Sequence, residues 1–266
     1  MINYSEIIEK NLCAYLDTAC LEPGLHSCVK YSLMNAGKRI RPTLCLLIAD
    51  MLSGSSEKAI PYACAVEMIH TYSLIHDDLP AMDNDATRRG KPSNHIVYGE
   101  GNAVLAGDAL LSLAALILSK TDNSNACAAV MSGAVEMLNG QSMDINNKAS
   151  DDSSLEKMYD GKTGGLFCSS ILSAYYVSEH HLYTAAEWKH FALNIGKLFQ
   201  VTDDILDQDK DAAENKTTFL TVHSPEQARN YVNSLTESLL RFIDPFANEY
   251  AFYLRDLIKS LASRTK

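Results

Sequence analysis

The chain has few of the residues that end secondary-structure elements. It contains only 13 glycines and 7 prolines among 266 residues, well below the roughly 12% that these two make up in an average protein. Few turn-forming residues in a long chain imply few turns, so the sequence favours long helices. With 47% hydrophobic and 21% charged residues, a disordered chain is excluded and a sizeable core is expected.

Other features that the sequence lacks exclude several classes of protein. The seven scattered cysteines contain no C-x-x-C, which argues against a disulfide scaffold or a structural zinc site and indicates a reducing compartment. Basic residues number 23 against 33 acidic ones, so nucleic acid is not an expected partner. The N-terminus lacks the basic region of a signal peptide, and the longest apolar run, 109–118, is shorter than the ~20 residues that span a bilayer. We therefore expect a cytoplasmic protein without stable membrane insertion.

Apolar residues recur at helical spacing along almost the whole sequence. The pattern predicts helices at about 2–20, 26–37, 41–53, 57–79, 102–120, 124–146, 152–160, 163–179, 184–209, 225–242 and 245–263. No convincing strand pattern, linker or repeat interrupts them. The prediction is an all-α fold, a single-domain helical bundle over residues 1–266.

Two clusters of aspartates follow apolar helical runs. In the second, Asp203, Asp204 and Asp207 lie at positions i, i+1 and i+4, on one face of a helix, after an apolar stretch (195–202) that should be buried. Carboxylates stacked in this way repel each other, and burial adds to the cost. Mg²⁺, which prefers a few carboxylates plus water and phosphate, removes both penalties. For this cluster alone, a solvated acidic helix end explains the pattern equally well.

The first cluster comprises Asp77, Asp78 and Asp83. Asp83 lies about 240° around an ideal helix from Asp77, so a straight helix would not bring the two together. Pro80 disfavours helical geometry at the preceding residue and has no N–H to donate. The helix should therefore end or kink there and let Asp83 swing back. Two such clusters in one helical domain favour a metal site over a solvated helix end.

The few basic residues are concentrated in short segments. These are GKRIRP with Lys38 and Arg41, RRGKP with Arg88 and Arg89, GKTGG with Lys162 and Thr163, and NKTT with Lys216. Arginine forks match phosphate oxygens, and a lysine with a threonine hydroxyl at a helix start makes an anion site. Singly, each segment is ordinary surface charge, but beside two acidic clusters they indicate a substrate with diphosphate groups. Neither G-x-x-x-x-G-K-[ST] nor G-x-G-x-x-G is present, so ATP is not implied.

A histidine shares the face of the first cluster. His70 precedes Asp77 by two helical turns, although a lone helical histidine is more often a satisfied core residue. The neighbouring pair His76-Asp77 suggests a rival class, the helical metal-dependent phosphohydrolases. That class needs several histidine ligands, and it explains neither Asp83 nor the second acidic cluster.

At these motifs the sequence resembles the trans-isoprenyl diphosphate synthases, the polyprenyl synthetase family. The matching segments, in the family's order, are GKRIRP (37–42), EMIHTYSLIHDDLPAMDNDATRRGKPSNH (67–95), AVLAGDALLSLA (103–114), GQSMDI (140–145), KTGGL (162–166), LFQVTDDILD (198–207) and KTTF (216–219). Weaker similarity covers nearly the whole chain. The resemblance implies an all-α bundle around a deep central cavity, usually a homodimer, in which three Mg²⁺ ions bridge the aspartates to an allylic diphosphate.

The resemblance also implies a role for each matching residue. The metal ligands would be Asp77, Asp83, Asp203 and Asp207, supported by Asp78 and Asp204. The allylic diphosphate would be held by Arg88, Lys162, Thr163, Gln200 and Lys216, and isopentenyl diphosphate by Lys38, Arg41, His70 and Arg89. The catalytic set would be Asp77, Asp78, Asp83, Lys162, Thr163, Gln200 and Asp203.

The implied activity is that of a short-chain prenyltransferase. Metal and basic groups would stabilise the diphosphate as the allylic C–O bond ionises, and the double bond of a positioned isopentenyl diphosphate would attack the cation. Tyr72, five residues before Asp77, and the adjacent Ser73 would set the product length. An aromatic residue there, with the Leu-Pro insertion in the first motif, resembles farnesyl diphosphate synthases of the bacterial type. We expect farnesyl diphosphate, made from dimethylallyl or geranyl diphosphate, with geranylgeranyl diphosphate as the alternative product.

Two other functions stay open. A class I terpene cyclase ionises a similar substrate without binding isopentenyl diphosphate, but GKRIRP and Arg89 argue against it. A non-catalytic partner subunit of a prenyl synthase usually lacks aspartates from one motif, whereas this chain keeps all six. One departure favours the partner subunit: only residues 208–215 separate Asp207 from Lys216, and they lack the Gly-Lys with which the family contacts the allylic diphosphate.

Overall fold

The computed structural model describes residues 3–35, 37–146, 148–149, 151–179, 182–208 and 217–264. The helices in these ranges are α1 (Tyr4–Asp17), α2 (Pro23–Leu33), α3 (Ile40–Ser53), α4 (Ile60–Asp77), α5 (Asn94–Tyr98), α6 (Glu100–Leu118), α7 (Ser124–Ile145), α8 (Asp152–Tyr159), α9 (Gly165–Val177), α10 (Ala185–Leu206), α11 (Phe219–Val222), α12 (Pro225–Ile243) and α13 (Glu249–Ser263). A 3₁₀ turn (Glu57–Ala59) precedes α4, and a π-helical turn (Asp160–Gly164) joins α8 to α9. Strands β1 (Thr87–Arg88) and β2 (Lys91–Pro92) form a small antiparallel ribbon. The all-α prediction is confirmed.

Side-chain caps explain why the helices begin where periodicity predicts. Asn123, Thr184, Ser224 and Asn248 each accept a hydrogen bond from the backbone N–H three residues further on, at the starts of α7, α10, α12 and α13. Such caps satisfy N–H groups that have no partner inside the helix. Every predicted helix is present, with its ends shifted by a few residues. Helices α5 and α11 were not predicted, because four or five residues are too few to show a helical period.

Helix α9 lies in the centre of the fold and packs on α3, α4, α7 and α10. It is buried over most of its length, and its Ser169, Ser170 and Ser173 donate hydrogen bonds to backbone carbonyl oxygens. Small residues let α7 approach it closely: a Cβ on Gly133 would lie 2.2 Å from the carbonyl oxygen of Gly165. This close packing places the π-helical turn, which directly precedes α9, against α7.

Helix α6 has two different faces. Its inner face packs on α2 and α4, while Val104, Leu105 and Leu116 are exposed on the outer face. Within the described residues it is the one helix long and apolar enough to cross a membrane by length and composition, and 44% of the qualifying stretch is buried. The uninterrupted apolar run in the sequence (109–118) is shorter than this helix, because Asp108 precedes it.

Candidate active site

The first aspartate cluster lies at the end of α4. The helix ends at Asp77, three residues before Pro80, and the backbone N–H of Asp83 then donates to the carbonyl oxygen of Asp77 at 2.8 Å. The predicted return of Asp83 towards Asp77 is therefore confirmed. On the other side, Gln141 of α7 donates from Nε2 to Oδ1 of Asp77 at 3.0 Å, so the carboxylate is held between two helices.

Asp78 has a different environment from Asp77. Only 2% of its surface is exposed, and its Oδ1 accepts hydrogen bonds from Nε (2.9 Å) and Nη2 of Arg88. Nη2 of Arg88 also lies 3.2 Å from Asp85. Asp78 therefore orients the arginine on β1, and its contacts are those of a support for Arg88.

The two adjacent aspartates of the second cluster differ in the same way. Asp203, on α10, is half-buried and pairs through Oδ1 with Nη2 of Arg264 at 2.7 Å. Asp204 is 2% exposed and accepts from Gln200 at 3.0 Å, from the backbone N–H of Phe219 at 2.8 Å and from the hydroxyl of Tyr159. In each Asp-Asp pair the first carboxylate is partly exposed, and the second is buried and bound to protein donors. Asp207 follows at the end of α10, where its N–H donates to the carbonyl oxygen of Asp203 at 2.9 Å.

The π-helical turn carries Lys162 and Thr163. A Cβ on Gly140 would lie 2.0 Å from the backbone nitrogen of Lys162, so the glycine of the GQSMDI segment is what allows the turn to rest on α7. Lys162 forms an ion pair with Asp144 of α7, and Thr163 donates to Oε1 of Gln200 at 2.7 Å. Single π-helical turns within helices are frequent at functional sites.

These elements meet in a cavity of about 140 Å³, called here the acidic cavity. Its lining consists of Asp83, Asp144, Met158, Tyr159, Lys162, Gln200, Asp204, Thr217 and Thr218. Asp83 of the first cluster and Asp204 of the second, 121 residues apart in sequence, thus face one space together with Lys162 and Gln200, two of the predicted diphosphate-binding residues.

The electrostatics at Asp77 favour a bound cation. Burial raises the pKa of Asp77 to about 6; the charge of Lys162 opposes this shift, and that of Asp83 adds to it. At neutral pH the ionised carboxylate is thus held at an energetic cost, which a cation would offset. Burial likewise raises the pKa of Asp203, against the opposing charge of Arg264.

The donor set fits Mg²⁺ shared with a ligand. In the described part of the chain, no three histidine, cysteine or carboxylate side chains converge closely enough to hold an ion by themselves. Mg²⁺ usually takes one or two carboxylates and completes its shell with water and substrate phosphates. Asp77, Asp83 and Asp203 therefore suit ions that a diphosphate helps to bind, and they do not suit a closed structural metal site.

A second cavity of about 670 Å³, called here the basic cavity, lies beside the second aspartate cluster. It brings together all four residues predicted to hold isopentenyl diphosphate, which are Lys38, Arg41, His70 and Arg89. Asp203 and Arg264 also line it. Among the cavities that the described residues form, one rich in carboxylates and one rich in cations thus share α10: Gln200 and Asp204 line the acidic cavity, and Phe199 and Asp203 line the basic cavity.

The basic cavity is built to receive an anion. The guanidinium of Arg41 lies 4.8 Å from the ring centre of Phe167 and 5.8 Å from that of Phe199. Burial lowers the pKa of Arg41 to about 10, although Glu67 and Asp203 oppose this shift. Burial, together with the charges of Arg41 and Arg89, holds the pKa of His70 well below its usual range, so His70 is neutral and can donate one hydrogen bond without adding charge.

Arg39, between the two predicted cations of the GKRIRP segment, is structural. It has a left-handed backbone conformation (φ 48°), donates to Glu67 of α4 at 2.6 Å and to the carbonyl oxygen of Leu33 at 2.7 Å, and is buried. This ion pair fixes the turn that presents Lys38 and Arg41 to the basic cavity.

Sequence reasoning missed four residues of the site: Gln141, Asp144, Tyr159 and Arg264. Gln141 and Asp144 lie in the GQSMDI segment, where the motif was a usable signal. Tyr159 and Arg264 carry no local signal, since their partners Asp204 and Asp203 are remote in sequence.

Seven of the predicted residues within the described ranges line neither cavity: Asp77, Asp78, Arg88, Thr163, Asp207, Tyr72 and Ser73. Tyr72 is buried on α4 with its ring edge-on to His76 (5.7 Å between ring centres), and Ser73 donates to the carbonyl oxygen of His70 at 2.9 Å. Neither side chain lines the acidic or the basic cavity. Lys216 and the short segment before it (209–215) lie outside the described residues.

Comparison with known proteins finds one matching family model and several similar enzymes. A family model described as polyprenyl synthetase matches residues 22–241. A geranylgeranyl diphosphate synthase of Cyanophora paradoxa is 44% identical over 195 residues, which cover 69% of this chain and 65% of that protein. A farnesyl diphosphate synthase of Micrococcus luteus is 36% identical over 265 residues, covering 91% and 90% of the two chains. The chain thus spans less than two thirds of the length of the Cyanophora relative but nearly all of the Micrococcus one.

The fold is shared with solved structures. The structure of a geranyltranstransferase from Thermotoga maritima superposes with a TM-score of 0.87 at 32% identity and covers 98% of both chains. Relatives named for both the fifteen- and the twenty-carbon product are thus similar to this chain, and similarity alone does not distinguish the two products.

Proposed function

Because the chain belongs to the polyprenyl synthetase family, we propose that it condenses isopentenyl diphosphate with dimethylallyl or geranyl diphosphate, and that its main product is farnesyl diphosphate. The observation that carries the proposal is the pair of cavities, acidic and basic, that meet at α10. One diphosphate with metal ions suits the acidic cavity, and a second diphosphate suits the basic one. A terpene cyclase, which ionises a single diphosphate, has no need of the second cavity.

The aspartates and the polar residues beside them would have different roles in the reaction. Asp77, Asp83 and Asp203 would hold Mg²⁺, three ions per site by the family resemblance, and the bound metal would act as a Lewis acid on the departing diphosphate. Lys162 and Gln200 line the acidic cavity with Asp83, and Thr163 donates to Gln200. These three residues would bind the diphosphate oxygens as negative charge develops.

The basic cavity would orient the second substrate. Lys38, Arg41 and Arg89 would hold the diphosphate of isopentenyl diphosphate, and neutral His70 would add a hydrogen bond. Fixing the second substrate beside the first converts an encounter in solution into a reaction between two held groups. The packed helices around α9 would keep water from the carbocation.

We further propose that Tyr72 limits the product to fifteen carbons. Its ring is buried five residues before Asp77 and packs edge-on against His76, a rigid arrangement below the end of α4. His76 is itself fixed, because its Nε2 lies 3.1 Å from the carbonyl oxygen of Val104 on α6.

The test is an elongation assay with isopentenyl diphosphate and geranyl diphosphate in the presence and absence of Mg²⁺, with dephosphorylated products identified by mass spectrometry. We expect a Mg²⁺-dependent fifteen-carbon alcohol from the wild type and from Tyr72→Phe, which keeps the ring. Tyr72→Ala should shift the main product to twenty carbons. A twenty-carbon product from the wild type would refute the Tyr72 limit, a cyclic hydrocarbon would indicate a terpene cyclase, and no elongation by the folded protein would indicate a partner subunit.

We also propose that the active form is a homodimer formed through the outer faces of α6 and α7. Leu105 and Leu116 on α6 and Val135 and Leu138 on α7 are each about half exposed. From Asn102 to Leu118, Asp108 is the only charged residue on α6, so two copies could meet there with little charge repulsion. An apolar surface of this kind marks an interaction site.

Sedimentation equilibrium tests the dimer. We expect a particle of twice the chain mass at micromolar concentration, and a shift towards monomer in Leu105→Glu, because a buried unpaired carboxylate is costly. Phe252→Glu, an equally exposed apolar position on α13, is the matched control and should leave the mass unchanged. A monomeric wild type, or equal effects of the two substitutions, would contradict the proposed interface.

A further inference from the structure

Asp204 is held by hydrogen bonds on both of its oxygens. Oδ1 accepts from Nε2 of Gln200 at 3.0 Å. Oδ2 accepts from the backbone N–H of Phe219 at 2.8 Å and from the hydroxyl of Tyr159. A buried carboxylate needs such donors, since each one offsets part of the loss of hydration. Tyr159 supplies one of these donors, and its other contacts link Asp204 to neighbouring elements.

Tyr159 closes a ring of contacts around the acidic cavity. It is the last residue of α8, directly before the π-helical turn, and four residues later Thr163 donates to Oε1 of Gln200 at 2.7 Å. The path runs from Tyr159 through Asp204 and Gln200 to Thr163, and back along the turn to Tyr159. Because both ends of the path lie on one turn, α10 cannot shift against the turn without breaking a hydrogen bond.

The hydroxyl of Tyr159 also reaches a third element. The backbone N–H of Phe219 lies 2.8 Å from the tyrosine oxygen as well as 2.8 Å from Asp204. Phe219 begins α11 and follows Thr217 and Thr218, which line the acidic cavity. Its ring is fixed by stacking on Tyr231 and on His223, with ring centres 5.0 and 4.2 Å apart. One hydroxyl therefore joins the π-helical turn, α10 and the start of α11.

We propose that Tyr159 is a positioning residue for the allylic diphosphate. Its hydroxyl holds Asp204, and through Asp204 it sets Gln200, Thr163 and the Thr217–Thr218 segment around the acidic cavity. This inference rests on the proposed function for the identity of the ligand, but the hydrogen-bonded ring itself does not. None of the five residues of the ring (Tyr159, Thr163, Gln200, Asp204 and Phe219) lines the basic cavity as the described residues form it, so the second substrate should be unaffected.

Tyr159→Phe tests the proposal, because it removes the hydroxyl and keeps the ring. We expect the KM for geranyl diphosphate to rise about tenfold, the effect of one lost hydrogen bond to a charged group, while the KM for isopentenyl diphosphate stays within about twofold. A general loss of structure would lower kcat or raise both KM values. KM does not depend on the fraction of enzyme that is folded, so the ratio of the two values is readable even for a destabilised variant.

Two further variants serve as a matched control and as a test of coupling to Asp204. Tyr183→Phe removes a half-buried hydroxyl that donates to the carbonyl oxygen of Phe242 at 3.1 Å, on residues that line neither cavity, and it should leave both KM values unchanged. Combining Tyr159→Phe with Asp204→Asn should raise the KM for geranyl diphosphate no further than Asp204→Asn alone, because residues that act through one another are not additive. Additive effects, or unchanged KM values in Tyr159→Phe, would overturn the proposal.

A binding measurement separates this inference from the proposed function. If the wild type does not elongate geranyl diphosphate, calorimetric titration with inorganic diphosphate and Mg²⁺ still reports on the cavity. Weaker binding by Tyr159→Phe than by Tyr183→Phe would then support the positioning role although the elongase assignment had failed. Equal binding by the two variants would refute the positioning role independently of turnover.

Discussion

Replacing Asp77 or Asp203 by asparagine should lower turnover by about 10²- to 10³-fold, the loss typical of removing a group that stabilises developing charge. Asparagine keeps the size of the side chain, and at position 77 its oxygen can still accept the hydrogen bond from Gln141. At position 77 the substitution therefore removes charge and little else, whereas at position 203 it also weakens the ion pair with Arg264. Steady-state elongation rates at saturating substrate, measured across a range of Mg²⁺ concentrations, would show both the loss and a higher Mg²⁺ requirement.

The buried members of the two pairs provide the control. Asp78→Asn weakens the support of Arg88, and Asp204→Asn weakens the ring around Gln200, so each should lower activity by about tenfold, as expected for one hydrogen bond to a charged partner. Neither should alter the Mg²⁺ concentration that gives half-maximal rate. If all four variants behaved alike, or if Asp77→Asn kept most of the wild-type rate, Asp77 and Asp203 would not be the metal ligands.

The family resemblance implied this difference within each Asp-Asp pair, but the local sequence pattern does not predict it. Two adjacent aspartates look equivalent in a sequence, and helical periodicity predicts only that they share a region of the surface. What separates Asp78 from Asp77 is the arginine on the ribbon that folds back beside the helix, and what separates Asp204 from Asp203 is a tyrosine on α8. Such contacts depend on how distant elements pack, which no local spacing encodes.

Other parts of the structure follow directly from local chemistry. Pro80 predicted the end of α4 and the return of Asp83, because a proline restricts the residue before it and cannot donate to a helix. Capping residues such as Thr184 and Ser224 stand where their helices begin. The π-helical turn at 160–164 was not predicted: the sequence pattern predicts a break at 161–162 between two helices, where the structure has a turn that joins them.

Arg41→Gln should lower kcat/KM for isopentenyl diphosphate by about 10²- to 10³-fold and leave the KM for the allylic substrate within about twofold, because a buried charge-assisted contact is lost only in the basic cavity. The physical reason is the state of Arg41 without a ligand. Burial lowers its pKa to about 10, and Arg89 places a second positive charge nearby. Its buried Nε has no hydrogen-bond partner among the residues that the structure describes. A diphosphate supplies the missing acceptors and offsets the repulsion between the two arginines.

Arg255→Gln is the matched control, since Arg255 also lies over a phenylalanine ring, 5.4 Å from the centre of Phe252, but on α13. It should leave both kinetic constants unchanged. Initial rates with each substrate varied against a saturating second one give the required values. A rise in the KM for geranyl diphosphate in Arg41→Gln would mean that the basic cavity holds the ionising substrate, which would reverse the proposed assignment of the two cavities. Equal losses for both substrates would mean that Arg41 supports the fold of α3 and α9 through Phe167, leaving the second diphosphate to be held by Lys38 and Arg89.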